Sequence, residues 1–304
     1  MDEYHIPVLL KESVDGLNID PNGTYVDATF GGGGHSAEIL KRLDKGRLYA
    51  FDQDEDAAKN QPESDKFFFV LGNFRFLKNY LNYYGIKKID GILADLGVSS
   101  YHFNTIERGF TYRADSGLDM RMNRKSKISA ESVINNYNAD QLSDVFYQYG
   151  EIPQARRLAA AIVKARQEQP ILTTGRLVET IRPFIPFQAE NQFLSKVFQA
   201  IRIEVNSEME SLEKMLLDTL EMLTAGGRMV IISYHSLEDR MVKNFMRWGN
   251  VSEKPASDIF GNVNEPFRLI TRKAITARDE EVKMNPRARS AKLRIAEKKD
   301  VQQQ

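Results

Sequence analysis

The stretch Thr24-Tyr25-Val26-Asp27-Ala28-Thr29-Phe30-Gly31-Gly32-Gly33-Gly34-His35 decides how this chain is read. Thr24 to Thr29 reads as a short buried strand, and the four glycines break it. The residues that follow carry Ile39, Leu40 and Leu43 on one side of a helix. Glycines between a strand and a helix let a ligand approach the backbone and bare the N-terminal N–H groups of the helix. The spacing is not that of a dinucleotide fingerprint, because Ser36 occupies the third-glycine position. An acid, Asp27, instead lies four residues ahead of Gly31.

Outward from this loop the same grammar repeats. Strands are expected at Arg47 to Phe51, ending at Asp52; at Phe67 to Leu71, ending at Gly72-Asn73-Phe74; and at Ile89 to Ala94, ending at Asp95. Short apolar runs alternating with helical patterns predict an α/β fold with a parallel sheet. Asp52 lies about 20 residues beyond the glycines, where a ribose-binding carboxylate belongs. S-adenosylmethionine suits this pattern: it has a ribose for Asp52, no phosphate for the acids to repel, and cationic ammonium and sulfonium groups. A tight structural turn with exposed strand-end acids is the plainer alternative.

Asp95-Leu96-Gly97-Val98-Ser99-Ser100 stands where amino-group methyltransferases hold the methyl acceptor, though the prolines and aromatic usual there are missing. Tyr101, Phe103, Phe110 and Tyr112 follow, as base-stacking rings or as loop anchors. Residues 104–128 read as a long Arg- and Gly-rich functional loop. Helical periodicity then runs to about Phe198, as in Leu142, Val145, Phe146 and Tyr149. The expected organisation is a discontinuous α/β domain, 1–103 and 201–304, interrupted by a helical domain at 104–200. After the insertion come a buried strand, Met229 to Ser233, a polar cluster from Ser233 to Arg240, a helix to Trp248, and strands near Phe267–Thr271 and Ala291–Ala296.

Composition narrows the chemistry. The 304 residues contain no cysteine, which removes disulfides, thiolate metal sites and thiol nucleophiles. The four histidines are not at ligand spacing from one another, so no metal is expected. The acidic N-terminus is unlike a signal peptide and no run of 18 apolar residues occurs, so a cytoplasmic protein without a membrane partner is expected. The 42 basic and 42 acidic residues cancel, yet seven bases against one acid crowd residues 283–299, as an RNA surface or as a solvated terminus.

Several blocks, taken together, resemble the RsmH (MraW) family. They are His5-x-Pro7-Val8-Leu9-Leu10, the glycine segment from Asp27 to His35, Asp52-Gln53-Asp54, and Asp90 to Ser100. Glu107 to Phe110, Leu118 to Met122, Phe198 to Glu208, Ser233 to Arg240 and Asn285 to Ala291 complete the series across nearly the whole chain. The resemblance implies a Rossmann-like S-adenosylmethionine-dependent methyltransferase domain with an inserted helical domain. It implies methylation of N4 of a decoding-centre cytosine in 16S ribosomal RNA, with the RNA within the small ribosomal subunit as the expected partner and naked RNA as the alternative. It implies Gly33, Gly34, His35, Asp52, Phe74, Asp95 and His102 as cofactor ligands. His102 stands where the family pattern has Gln, and the segment between Trp248 and Pro266 is short. Asp95 is the candidate acceptor of an N4 hydrogen, with Ser99 or backbone carbonyls as alternatives. Phosphate contacts are expected from Arg108, Arg113, Arg121 and Arg124 in the loop and from Arg156, Arg157 and Lys164 on a helix, with a second RNA contact at Arg287, Arg289, Lys292 and Arg294. A nicotinamide-dependent oxidoreductase and a non-catalytic RNA-binding assembly factor are the alternatives; the first lacks a hydride-handling constellation and the second leaves the strand-end acids unexplained.

Overall fold

The computed structural model describes residues 7–97, 105–251 and 265–300. The chain divides into two compact units, Met1–Gly97 with Met209–Gln304 and Val98–Glu208.

The first unit is built on a seven-stranded sheet in the order β3-β2-β1-β4-β5-β7-β6. The strands are β1 (Thr24–Asp27), β2 (Arg47–Asp52), β3 (Phe67–Leu71), β4 (Ile89–Asp95), β5 (Leu223–Ser233), β6 (Phe267–Leu269) and β7 (Lys292–Lys298). β1 to β5 pair in parallel, whereas β7 is antiparallel to both β5 and β6. The fold is therefore Rossmann-like, but it departs from the dinucleotide-binding order by wedging its last strand antiparallel between β5 and the edge.

Both faces of this sheet are covered, which is why its strands read as unbroken apolar runs. Val26, Ile92, Met229 and Ile231 enter one core with Leu212, Leu216 and Phe245 from helices. Their strand neighbours Tyr25, Leu93, Val230 and Ile232 enter the opposite core with Val14 and Ile39. β7 obeys the expected alternation: Leu293 and Ile295 are buried, and Lys292 and Arg294 face the other way. The helix before β5, Glu208–Met222, is followed by Gly226, at φ 79°, in an irregular stretch before regular pairing with β4 begins at Arg228.

Among its described residues the second unit packs the helices Ala130–Asn136, Ala139–Gln148, Ala155–Glu168, Thr174–Ile181 and Glu190–Asn206 around a core that includes Phe146, Leu158, Ile162 and Ile201. Ser129, Asn138 and Thr173 cap three of them through side-chain acceptors. The last helix runs across the edge expected at residue 200. Phe193, Val197, Ile201 and Val205 form one buried stripe along it, so hydrophobic periodicity carries the unit on to Glu208.

The loop before these helices is scaffolded, which corrects part of the expected phosphate surface. Arg108 is 1% exposed and donates to the carbonyls of Arg121 and Met122. Arg121 pairs with Asp119 at 2.5 Å and donates to the carbonyls of Arg124 and Ser126. Both guanidiniums satisfy the turns of their own loop and do not track phosphates. Arg113, Arg124, Arg156, Arg157 and Lys164 are exposed.

Candidate active site

Open parallel sheets bind ligands beyond the carboxyl ends of the strands, at the point where strand order reverses. Here that point lies between β1 and β4, and the glycine loop leaves β1 there. The loop is laced to both neighbours of β1: Ala28 N donates to Leu93 O of β4, and Phe30 N to Phe51 O of β2, each at 2.8 Å.

The glycines have separate reasons. Gly31 and Gly33 have φ of 52° and 78°, a region that side chains disfavour. A Cβ on Gly34 would lie 2.1 Å from Pro7 Cγ, so this glycine is demanded by the N-terminal segment. Gly32 has neither constraint: its dihedral is ordinary and a Cβ there would project into open space. A ligand lying along the loop is the physical reason left for its small size. His35 is buried, its Nε2 3.1 Å from Val8 O, so the ring anchors the N-terminal segment. Gly34 and His35 would therefore meet a cofactor through the helix's first-turn N–H groups.

Asp52 closes β2 with both oxygens engaged, Oδ2 accepting from Gly31 N and Oδ1 from Asp54 N at 2.8 Å each. An ionised carboxylate at this strand end is the acceptor type that ribose hydroxyls pair with. Phe74 opens a one-turn helix after β3, capped by Asn73 Oδ1 accepting from Arg75 N, and its half-buried ring packs on the sheet core. β3 is tied to β2 here by Gly72 N donating to Asp52 O. His102 and Ser99 lie outside the described residues.

Beneath the loop is a chain of acids, of which Asp27 and Glu238 are buried and Asp95 is partly so. Asp27 is fully buried; Oδ2 accepts from Ser36 Oγ at 2.7 Å and Oδ1 from Thr29 N. That bond explains Ser36 in place of a glycine. Burial pushes Asp27 up to about 6, and the nearby Asp52 charge acts in the same direction. Thr29 Oγ1 accepts from Asp95 N at 2.7 Å, pinning the end of β4 to the loop. Asp95 Oδ1 accepts from Tyr234 Oη at 2.7 Å. Burial raises Asp95 to about 7; the Tyr234 hydrogen bond opposes that shift, and the charges of Asp27 and Glu238 add to it. Tyr234 is itself pushed upward by burial and by Asp95, so it remains a donor. Glu238, 3% exposed, accepts from Tyr234 N at 2.9 Å and lies 3.1 Å from His235 Nε2.

Tyr234, Thr29 and Glu238 were not among the expected site residues. The signal was the polar cluster at the end of the post-insertion strand, but its partner is visible only once β5 is paired beside β4, with Ile232 opposite Asp95.

The model of the MraW methylase family matches residues 2–299. The chain belongs to the MraW methylase family. The ribosomal RNA small subunit methyltransferase H of Phocaeicola vulgatus is 57% identical over 297 residues, covering 97% of this chain and 98% of its own. The protein of the same description from Bacteroides fragilis is 58% identical over the same shares, and that from Flavobacterium johnsoniae 53%. As a member of this family the protein is a methyltransferase whose cofactor is S-adenosylmethionine. The site fits that molecule: a glycine cradle opening at Gly32, a carboxylate at Asp52 for a ribose, and buried acids suited to a cationic ligand.

Proposed function

We propose that this protein methylates the N4 amino group of a decoding-centre cytosine in 16S ribosomal RNA, acting on the RNA within the small ribosomal subunit. The naming of the relatives supports the RNA class. The single observation in the site that supports an amino acceptor is Asp95, a partly buried carboxylate at the end of β4, held by Tyr234 and raised to about 7.

Cytosine N4 is a weak nucleophile because its lone pair is delocalised into the ring. The protein must hold it about 3–3.5 Å from the methyl carbon, aligned for displacement. When bound, S-adenosylmethionine supplies a methyl carbon activated by its sulfonium. As the N4–carbon bond forms and the carbon–sulfur bond breaks, N4 becomes acidic and must lose a proton. Asp95 accepts it. Tyr234 occupies Oδ1, which leaves Oδ2 to face the amino group, and the Thr29 bond to Asp95 N fixes the carboxylate relative to the glycine loop. Gly33, Gly34, His35, Asp52 and Phe74 are the positions assigned to cofactor binding in this reading, together with Asp95 and His102.

A base buried in RNA structure has to be turned out before it can react. The helical unit, with exposed Arg113, Arg124, Arg156, Arg157 and Lys164, is the part assigned to RNA recognition. The test is mass spectrometry of 16S RNA fragments from cells lacking the protein. One methyl group on one decoding-centre cytosine should vanish and return with the wild-type gene. An unchanged methylation pattern would sink the assignment.

A further inference from the structure

We propose that a basic groove at the β6 edge of the sheet unit is a docking surface for an RNA phosphate backbone, separate from the methyl-transfer site. The groove has a volume of about 620 Å³, and its cations come from several elements: Lys243 and Arg247 from helix Ser236–Trp248, Arg268 from β6, Arg272 beyond it, and Arg294 and Lys299 from β7 and its end. Glu265 is its one acidic wall residue among the described residues. The chain's net charge is zero, so this accumulation is local.

The pairing pattern separates structural cations from available ones. Arg294 is held by Asp239 at 2.7 Å, Arg268 pairs with Glu297, and Lys299 lies 3.7 Å from Glu265. Lys292 also pairs with Asp239, at 3.2 Å. The C-terminal strand is therefore not the bare basic face that its sequence suggests, because a helix acid meets Lys292 and Arg294 and the carbonyls of Leu220 and Leu223 take Lys298. Lys243, Arg247 and Arg272 are exposed and form no ion pair among the described residues. Lys243 and Arg247 are four apart, on one helical face. The Arg247 guanidinium is stacked on Trp248, 4.4 Å from the ring centroid, which orients its donors while leaving its charge uncancelled.

Edge protection accounts for less of this. β6 is only three residues long and its Arg268 would guard an open edge. It does not explain two unpaired cations on a helix turned to the same concavity. A concave surface lined by one sign of charge focuses its field outward and lowers the stability of the empty protein through self-repulsion. A polyanionic strand relieves that cost. The aromatic floor residue Phe267 is buried, so the groove offers guanidinium and ammonium donors to phosphates and no exposed ring for base stacking. Contact there is independent of base sequence and adds affinity and register for the substrate. The identity of the strand as ribosomal RNA rests on the proposed function.

The experiment titrates full-length protein with 16S ribosomal RNA by fluorescence anisotropy, from about 50 to 200 mM salt. The Lys243→Gln, Arg247→Gln, Arg272→Gln triple variant should flatten the log–log slope by about two, with S-adenosylmethionine affinity unchanged. A matched triple variant at exposed cations elsewhere on the unit, Lys45, Arg47 and Lys87, should leave the slope near wild type. An unchanged slope in the groove variant, or equal flattening in the matched one, overturns the groove. Stronger loss of polyglutamate binding than of RNA binding assigns the surface to an acidic protein and also overturns it. If the triple variant misfolds, Lys243→Gln with Arg247→Gln on the helix should still flatten the slope by about 1.5. Wild-type protein that binds S-adenosylmethionine but no 16S RNA would instead refute the ribosomal RNA reading itself.

Discussion

Two regions of the molecule bury charge, and they solve the problem in opposite ways. Under the glycine loop, Asp27, Asp95 and Glu238 are met by hydroxyls and backbone N–H groups, and the protein shifts Asp27 and Asp95 toward their neutral forms. In the loop of the helical unit, Arg108 and Arg121 are wrapped by backbone carbonyls and by Asp119. The hydrogen bonds of both arginines described here go to their own loop. In the proposed function the carboxylates are held for a cation and a proton that arrive with the substrates. Buried charge thus marks function only where the protein leaves part of the compensation to a ligand.

The sharpest test of this contrast is Asp95→Asn. Removal of the proton acceptor should slow methyl transfer by about 10²- to 10⁴-fold, with a much smaller loss of cofactor affinity in calorimetry. Equal losses in both would make Asp95 a cofactor ligand alone. Arg108→Ala should do the reverse. It leaves two carbonyls without their donor and opens a void, costing about 3 kcal/mol or more in chemical denaturation. Arg113→Ala, at an exposed position of the same loop, should stay within about 0.5 kcal/mol. If Arg108→Ala leaves stability intact and abolishes RNA binding, the structural role assigned to it is wrong.

The smallest effect is the most specific. The Tyr234 bond stabilises ionised Asp95 and opposes the upward push of burial. A general base must be deprotonated, so the transfer rate should rise with pH through an apparent pKa near 7. Loss of the donor in Tyr234→Phe raises the Asp95 pKa further and moves that limb to higher pH. One hydrogen bond is worth about one pH unit, so the rate should fall about fivefold at pH 7 and recover near pH 9. A uniform loss at all pH values would show that Tyr234 only shapes the site.

The comparison also explains what sequence reading reached. Strands with acids at their carboxyl ends and glycines after the first are local patterns, and β1 to β4 lie within a residue or two of where they are expected. The helical insertion shows in its periodicity. Partners distant in the chain do not show. Tyr234 meets Asp95 across 139 residues, and Arg294 meets Asp239 across 55. The buried Arg108 looks in sequence like any solvated loop cation, because its acceptors are backbone carbonyls that have no residue signature. His35 and Gly34 lie in the glycine motif, yet Val8 and Pro7 dictate their side chains.

The position of β7 has a consequence for how the chain becomes folded. The last strand lies inside the sheet, between β5 and β6, and its Ile295 packs so closely on the helix Leu10–Gly16 that a Cβ on Gly16 would lie 2.6 Å from Cδ1. Leu9 N, near the other terminus, donates to Glu281. On a ribosome that releases the chain from its N-terminus, the helical unit is one continuous stretch and can assemble as soon as it emerges. The sheet cannot close until β7 is made. β4 and β5, and the apolar face awaiting Leu293 and Ile295, must wait unpaired on one side, the slow and aggregation-exposed situation of a fold with high contact order. Truncation before Lys292 would remove an interior strand, so β7 must be synthesised before this enzyme can hold its sheet together.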